Sequence, residues 1–134
     1  MTIDQLIAKH LDFIATDMER WLELLADDAV VEFPYAGSLG APPRLEGRDA
    51  IRAYFLDVIK SFEGLTFSNV RTYPTTDPNV AAVEVHGSAT ITTTGRRYEQ
   101  DYVMVVKARD GRIVHYREYW NPLPVVAAFN VEAT

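Results

Sequence analysis

Ile113-Val114-His115-Tyr116-Arg117-Glu118-Tyr119-Trp120-Asn121 is the last of four strand-like runs, and its reading decides the fold. Strict alternation puts Val114, Tyr116, Glu118 and Trp120 on one face, with Ile113, His115, Arg117, Tyr119 and Asn121 on the other. Three further runs precede it, near residues 65–73, 80–93 and 98–107. The connections are Thr76-Asp77-Pro78-Asn79, Thr94-Gly95 and Asp110-Gly111, all with hairpin chemistry. Four consecutive runs joined by tight turns predict an antiparallel sheet.

The chain upstream has helical periodicity. Ile3, Leu6, Ile7, His10, Phe13 and Ile14 share one face of a first helix. Thr16-x-x-Glu19 has the form of a capping box, opening a short second helix with Met18, Trp21, Leu22 and Leu25 on its stripe. Asp27-Asp28 is expected to end it, and residues 29–35 to form a strand. Residues 36–47 hold three glycines and two prolines and read as a loop. A third helix is expected over about 48–62, striped by Ile51, Tyr54, Phe55, Val58, Ile59 and Phe62, with Gly64 as its stop. Helices first and strands afterwards predict one α+β domain over residues 1–134, in which three N-terminal helices cover a curved sheet. Such a cone encloses a natural pocket for a small molecule. Gly87, inside the long second run of the sheet, would mark a bend or bulge.

Composition excludes several classes. The formal net charge is -6 with thirteen Lys plus Arg, a poor match to a phosphate backbone, so no nucleic-acid partner is expected. No apolar run approaches the ~20 residues of a membrane span. The first residues lack a basic segment leading into an apolar one, so a cytoplasmic location is expected. The absence of cysteine removes disulfides and thiolate chemistry. His10, His86 and His115 are too scattered to suggest metal ligation, and neither a metal nor a cofactor is expected.

Leu25-Ala26-Asp27-Asp28-Ala29-Val30-Val31-Glu32-Phe33, Leu45-Glu46-Gly47-Arg48-Asp49-Ala50-Ile51 and Asp110-Gly111-Arg112-Ile113-Val114 follow one another in an order that resembles the NTF2-like superfamily. That superfamily includes ketosteroid isomerase and the SnoaL-like polyketide cyclases. The resemblance implies a cone-shaped fold with a mixed, mostly antiparallel sheet. It also implies a homodimer through the outer sheet face, here Glu84, His86, Ser88, Arg117 and Tyr119. Thr76-Asp77-Pro78-Asn79 and Arg117-Glu118-Tyr119-Trp120-Asn121-Pro122 with its apolar tail are similar to the phenazine-biosynthesis proteins of the A/B type. In that group the Glu of the Arg-Glu-aromatic run is a pocket acid, which corresponds to Glu118, and Tyr54 stands where the group has a pocket His. Ketosteroid isomerase carries its base just before a Pro, where this chain has Phe33-Pro34. Its second Asp, a protonated hydrogen-bond donor, corresponds to Asp101.

Glu118 among Val114, Tyr116 and Trp120 has two readings. It is a carboxyl kept neutral in an apolar pocket, or the strand is flipped and it pairs with Arg96, Arg97 or Arg117 in water. Periodicity leaves the facing of Asp101 open, since both faces of its strand turn from polar to apolar midway; the resemblance puts it in the pocket. His10 is either a satisfied core histidine or a proton carrier facing the pocket. Tyr35, Tyr54, Val85, Tyr116 and Trp120 are candidate pocket walls, with plain core as the alternative, suiting a small apolar or aromatic ligand. Arg96 or Arg97 beside Asp101 loosely suggests the Asp-Arg-Asp cluster of an epoxide hydrolase, without a second Asp to complete it. The expected function is acid/base chemistry of isomerase, cyclase or condensation type through Glu118, Asp101 and His10. The alternatives are a binding protein with the same pocket and an interaction protein that uses its sheet face.

Overall fold

A computed structural model describes residues 1–132. Helix α1, Ile3–Thr16, starts at Thr2, whose side chain accepts from the Gln5 amide while Gln5 answers the Thr2 amide. The capping box is therefore here. Thr16 is the last residue of α1, and Asp17 caps the short α2, Met18–Glu23, by accepting from the Arg20 amide. Strand β1 runs Leu25–Glu32, so Asp27-Asp28 lies inside a strand and does not end the helix. Both aspartates are exposed where the pairing of β1 shifts register.

Residues 36–47 are more ordered than a plain loop. They hold a 3-10 turn over Ala36–Leu39 and a short strand β2, Arg44–Glu46. Helix α3 covers Arg48–Val58, passes through a 3-10 turn at Ile59–Ser61, and hands over to β3, Phe62–Pro74. Gly64 thus lies within β3 and is not a helix stop. Strands β4, Val80–Ile91, β5, Arg97–Arg109, and β6, Arg112–Trp120, follow. A fourth helix, α4, Pro122–Phe129, closes the described chain. Among the described residues four helices, not three N-terminal ones, accompany the sheet. The sequence signal for α4 is the Asn121-Pro122 pair: Asn121 caps by accepting from the Leu123 amide, and Pro122 fits the first turn.

The six strands form one mixed sheet in the order β2-β1-β6-β5-β4-β3. Only β1 and β6 run parallel; every other neighbouring pair is antiparallel. The three hairpin turns fall where expected. Asp110 and Gly111 both have positive φ, 53° and 75°, which suits the twist of the flanking strands. Register between β4 and β5 is unbroken from Val80 opposite Lys107 to Thr90 opposite Arg97, so Gly87 marks no bulge. A Cβ at Gly87 would lie 2.8 Å from Cε2 of Tyr102; its bare backbone makes room for that ring. The shifts are in β3, between Glu63 and Thr66 and between Ser68 and Arg71, and at Val114 on β6. The extra residue at Val114 breaks the alternation, so Ile113 and Tyr116 both point inward and are fully buried.

The inner face of the sheet packs on α1, α2 and α3 through Trp21, Leu6, Ile7, Ile51 and Ile113, among others. Gln100, 2% exposed, clamps β5 to the start of α4: its amide donates to the Asn121 carbonyl at 2.8 Å and accepts from the Asn121 amide at 3.0 Å. Gln100→Leu would leave a backbone donor and acceptor unpaired. A loss of about 1–3 kcal/mol in urea unfolding is expected, with β-sheet circular dichroism retained.

Candidate active site

The inner side of β6 carries Tyr116, Glu118 and Trp120 in succession. Above them, between the sheet, α3 and α4, lies a cavity of about 330 Å³. Glu118 reaches into it from the floor, Trp120 and Tyr54 form walls, and Val125 and Phe129 of α4 help to close it. Phe33 packs against Tyr54 with ring centres 5.6 Å apart, and Phe62 against Tyr98 at 5.5 Å. Strand facing is therefore as the pocket reading of Glu118 requires. Arg117, a partner in the flipped alternative, lies on the opposite face and bonds Glu32 at 3.3 Å.

One carboxylate oxygen of Glu118 accepts from the Tyr116 hydroxyl at 2.5 Å. Desolvation pushes the Glu118 carboxyl up to about 7; the Tyr116 bond pulls the other way and is the smaller effect. Part of the Glu118 surface is accessible, but what it faces is the apolar cavity and not bulk water. Tyr116 is fully buried, and burial first, then the neighbouring Glu118 charge, raises its hydroxyl well above the ordinary range. It remains a donor at every physiological pH. The second oxygen of Glu118 is left for whatever enters.

His10 does not face the cavity. It is fully buried behind Tyr116, with ring centres 4.8 Å apart, and its Nδ1 accepts from the Trp21 indole N–H at 2.8 Å. That bond puts the ring proton on Nε2, and burial drives the pKa down to about 3. The imidazole is thus a neutral core group, outside the cavity lining. Asp101 lies on the outer face of β5, exposed, 2.8 Å from Nδ1 of His86. The inward residues of β5 are Tyr98, Gln100, Tyr102, Met104 and Val106, the register that periodicity left open. Tyr35 is 49% exposed with its ring edge on Tyr119, and Val85 is packed in the core. Arg96 bonds the Ala127 carbonyl and Arg97 pairs with Glu99, so no Asp-Arg-Asp cluster forms at the cavity among the described residues. No cluster of three or more His, Cys, Asp or Glu that could hold a metal occurs among the described residues.

Sequence reasoning missed a second polar point in the cavity. Tyr98 and Tyr102, both lining it, share a hydroxyl–hydroxyl bond of 2.9 Å. Burial pushes the Tyr98 hydroxyl up to about 12 and raises that of Tyr102 as well, so both stay protonated. The Gln100 side chain also bonds the Tyr98 hydroxyl, so the pair is anchored on its own strand. The signal was the i, i+4 spacing of the two tyrosines on one strand face.

The profile of the SnoaL-like domain matches residues 7–116. The chain belongs to the SnoaL-like family. Its fold is the NTF2-like α+β architecture shared by ketosteroid isomerase-like structures. A PhzA/B-like Pseudomonas aeruginosa protein of uncharacterized function is 39% identical over 107 residues, covering 80% of this chain and 74% of its own. A Bacillus subtilis structure provisionally assigned as an isomerase has 40% identity and a TM-score of 0.88, covering 95% of this chain and 91% of its own. The Δ5-3-ketosteroid isomerase of a Mycobacterium species has 26% identity and a TM-score of 0.75, covering 90% and 95% respectively. At the position where the resemblance places that enzyme's base, this SnoaL-like chain has the buried Phe33, and the carboxyl inside its cavity comes from β6.

Proposed function

We propose that the chain is a general acid/base enzyme of isomerase or cyclase type, acting on a small and largely apolar molecule, with Glu118 as its proton carrier. The observation that carries this is the Glu118 carboxyl projecting into an apolar cavity with a proton affinity near neutrality. Close to pH 7 both its forms are populated, so one group can deliver a proton and take one back. Tyr116 fixes one oxygen, which orients the other toward the ligand. The Tyr98 and Tyr102 hydroxyls, which line the same cavity, suit a carbonyl oxygen that gains negative charge as a neighbouring C–H is deprotonated. Family membership favours isomerases and cyclases.

The test does not need the natural substrate. Tetralone, a bicyclic ketone, exchanges its α-protons slowly in deuterated buffer. The protein is expected to accelerate that exchange, and Glu118→Gln to abolish the acceleration. Saturable binding of tetralone without accelerated exchange would favour the second reading, a binding protein with the same cavity.

The outer face of the sheet supports a homodimer. Val103 is 42% exposed there, paired with Tyr119 on one side and Glu84 on the other. The 15.1 kDa chain is expected to run at about twice its mass in light scattering, and Val103→Glu to shift it to the monomer.

A further inference from the structure

The residues lining the cavity include two carboxyls and, among the described residues, no Lys, Arg or His. Glu118 lies inside, and Asp57, exposed on α3, stands at the mouth. Lys60, between the lining residues Ile59 and Ser61, is exposed and is not part of the lining, and several other basic side chains in neighbouring elements are engaged elsewhere. Arg117 and Arg44 pair with Glu32, Arg96 bonds the Ala127 carbonyl, and Arg48 holds the Leu25 carbonyl and Asp27. The remaining walls present the rings of Tyr54, Trp120, Phe62 and Tyr98. An anion entering this space meets acidic groups and no counter-charge, in surroundings where water screens poorly. A cation meets a carboxyl that can ionise to receive it and ring faces that attract it.

We propose that the cavity selects lipophilic amines in their protonated form, with the ammonium group against Glu118 and an aromatic body against the ring walls, and that it rejects carboxylates. This names the substrate class of the same site and rests on the pocket reading of Glu118. Binding has a proton balance: an ammonium ion that enters against a neutral carboxyl expels the carboxyl proton to solvent, leaving an ammonium–carboxylate pair. Affinity for the amine therefore rises with pH until Glu118 is already ionised in the free protein. The other titratable groups facing Glu118 are Tyr116 on its own strand, Tyr98 and Tyr102 on β5 and Tyr54 on α3. All four have raised values and stay neutral across that range, and the Asp57 carboxyl stands at the entrance.

Three probes of one shape test the inference by calorimetry: naphthylmethylamine, naphthylmethanol and naphthoate. At about pH 8 the amine is expected to bind roughly tenfold or more tighter than the alcohol, and naphthoate more weakly than both. At about pH 6 the amine's advantage shrinks, and its binding heat varies with the ionisation enthalpy of the buffer, the mark of a released proton. Glu118→Gln should equalise amine and alcohol. The buffer dependence in the unaltered protein gives the answer even if that variant does not fold. Naphthoate binding as tightly as the amine, or amine binding at about pH 6 with no proton release, overturns the inference. If the amine has no advantage while tetralone exchange still depends on Glu118, the amine class is wrong and the acid/base reading stands. If Glu118-dependent exchange is absent while the trio behaves as stated, the reverse holds.

Discussion

Glu118→Gln is expected to lower tetralone exchange, or turnover of any natural substrate, by about 10²–10⁴-fold. The replacement keeps the shape and the bond from Tyr116 but removes the proton that moves. The same variant changes the pH dependence of stability. In the folded chain the carboxyl holds its proton up to about 7, against an ordinary value near 4.5. Folding therefore takes up a proton between these limits. Its contribution to stability is full below about 4.5, falls as the pH rises through the window, and is gone above about 7. A shift of that size corresponds to at most about 3 kcal/mol. Urea midpoints measured from about pH 4.5 to 8 should show this decline in the unaltered protein and lack that component in Glu118→Gln. Equal slopes in the two proteins would place the carboxyl in water and remove both the acid and its chemistry.

Trp21→Ala is expected to cost about 3–5 kcal/mol, a large part of the 5–15 kcal/mol that holds an ordinary domain together. Trp21 is fully buried, packs against Phe55 with ring centres 4.7 Å apart and donates to His10. Truncation opens a cavity and leaves His10 without its partner, and its Nε2 already has none among the described residues. Trp21→Phe separates these effects: most of the ring contact stays while the donor goes, at a cost of about 1–3 kcal/mol. Chemical denaturation of both variants provides the measurement. Full stability in Trp21→Phe would show that the His10 bond contributes nothing.

The sheet was legible because its turns are written in Gly, Asn and Asp at the hairpin tips and its strands alternate. The pocket acid was legible for the same reason, since Tyr116, Glu118 and Trp120 share a face whatever happens upstream. Alternation fails at a bulge, and the extra residue at Val114 sent Ile113 inward against the simple pattern. It also fails where both faces are mixed. Arg97, Glu99 and Asp101 opposite Tyr98, Gln100 and Tyr102 give no clear vote, and the resemblance to ketosteroid isomerase then pointed to the wrong side for Asp101. His10 was ambiguous because an apolar helical stripe does not say which layer it faces. Only the distant Trp21, eleven residues away, shows that its ring nitrogen is engaged inside the core. Helix boundaries missed by a residue or two at Thr16 and by a turn after Val58, where capping and strand pairing compete for the same amides.

Tyr116, Glu118 and Trp120 occupy alternate places on one short ribbon, so the carboxyl, the hydroxyl that holds it and part of the cavity wall are inherited together. Under the role proposed for Glu118, exchanging this handful of codons between relatives is expected to move that role without rebuilding the scaffold.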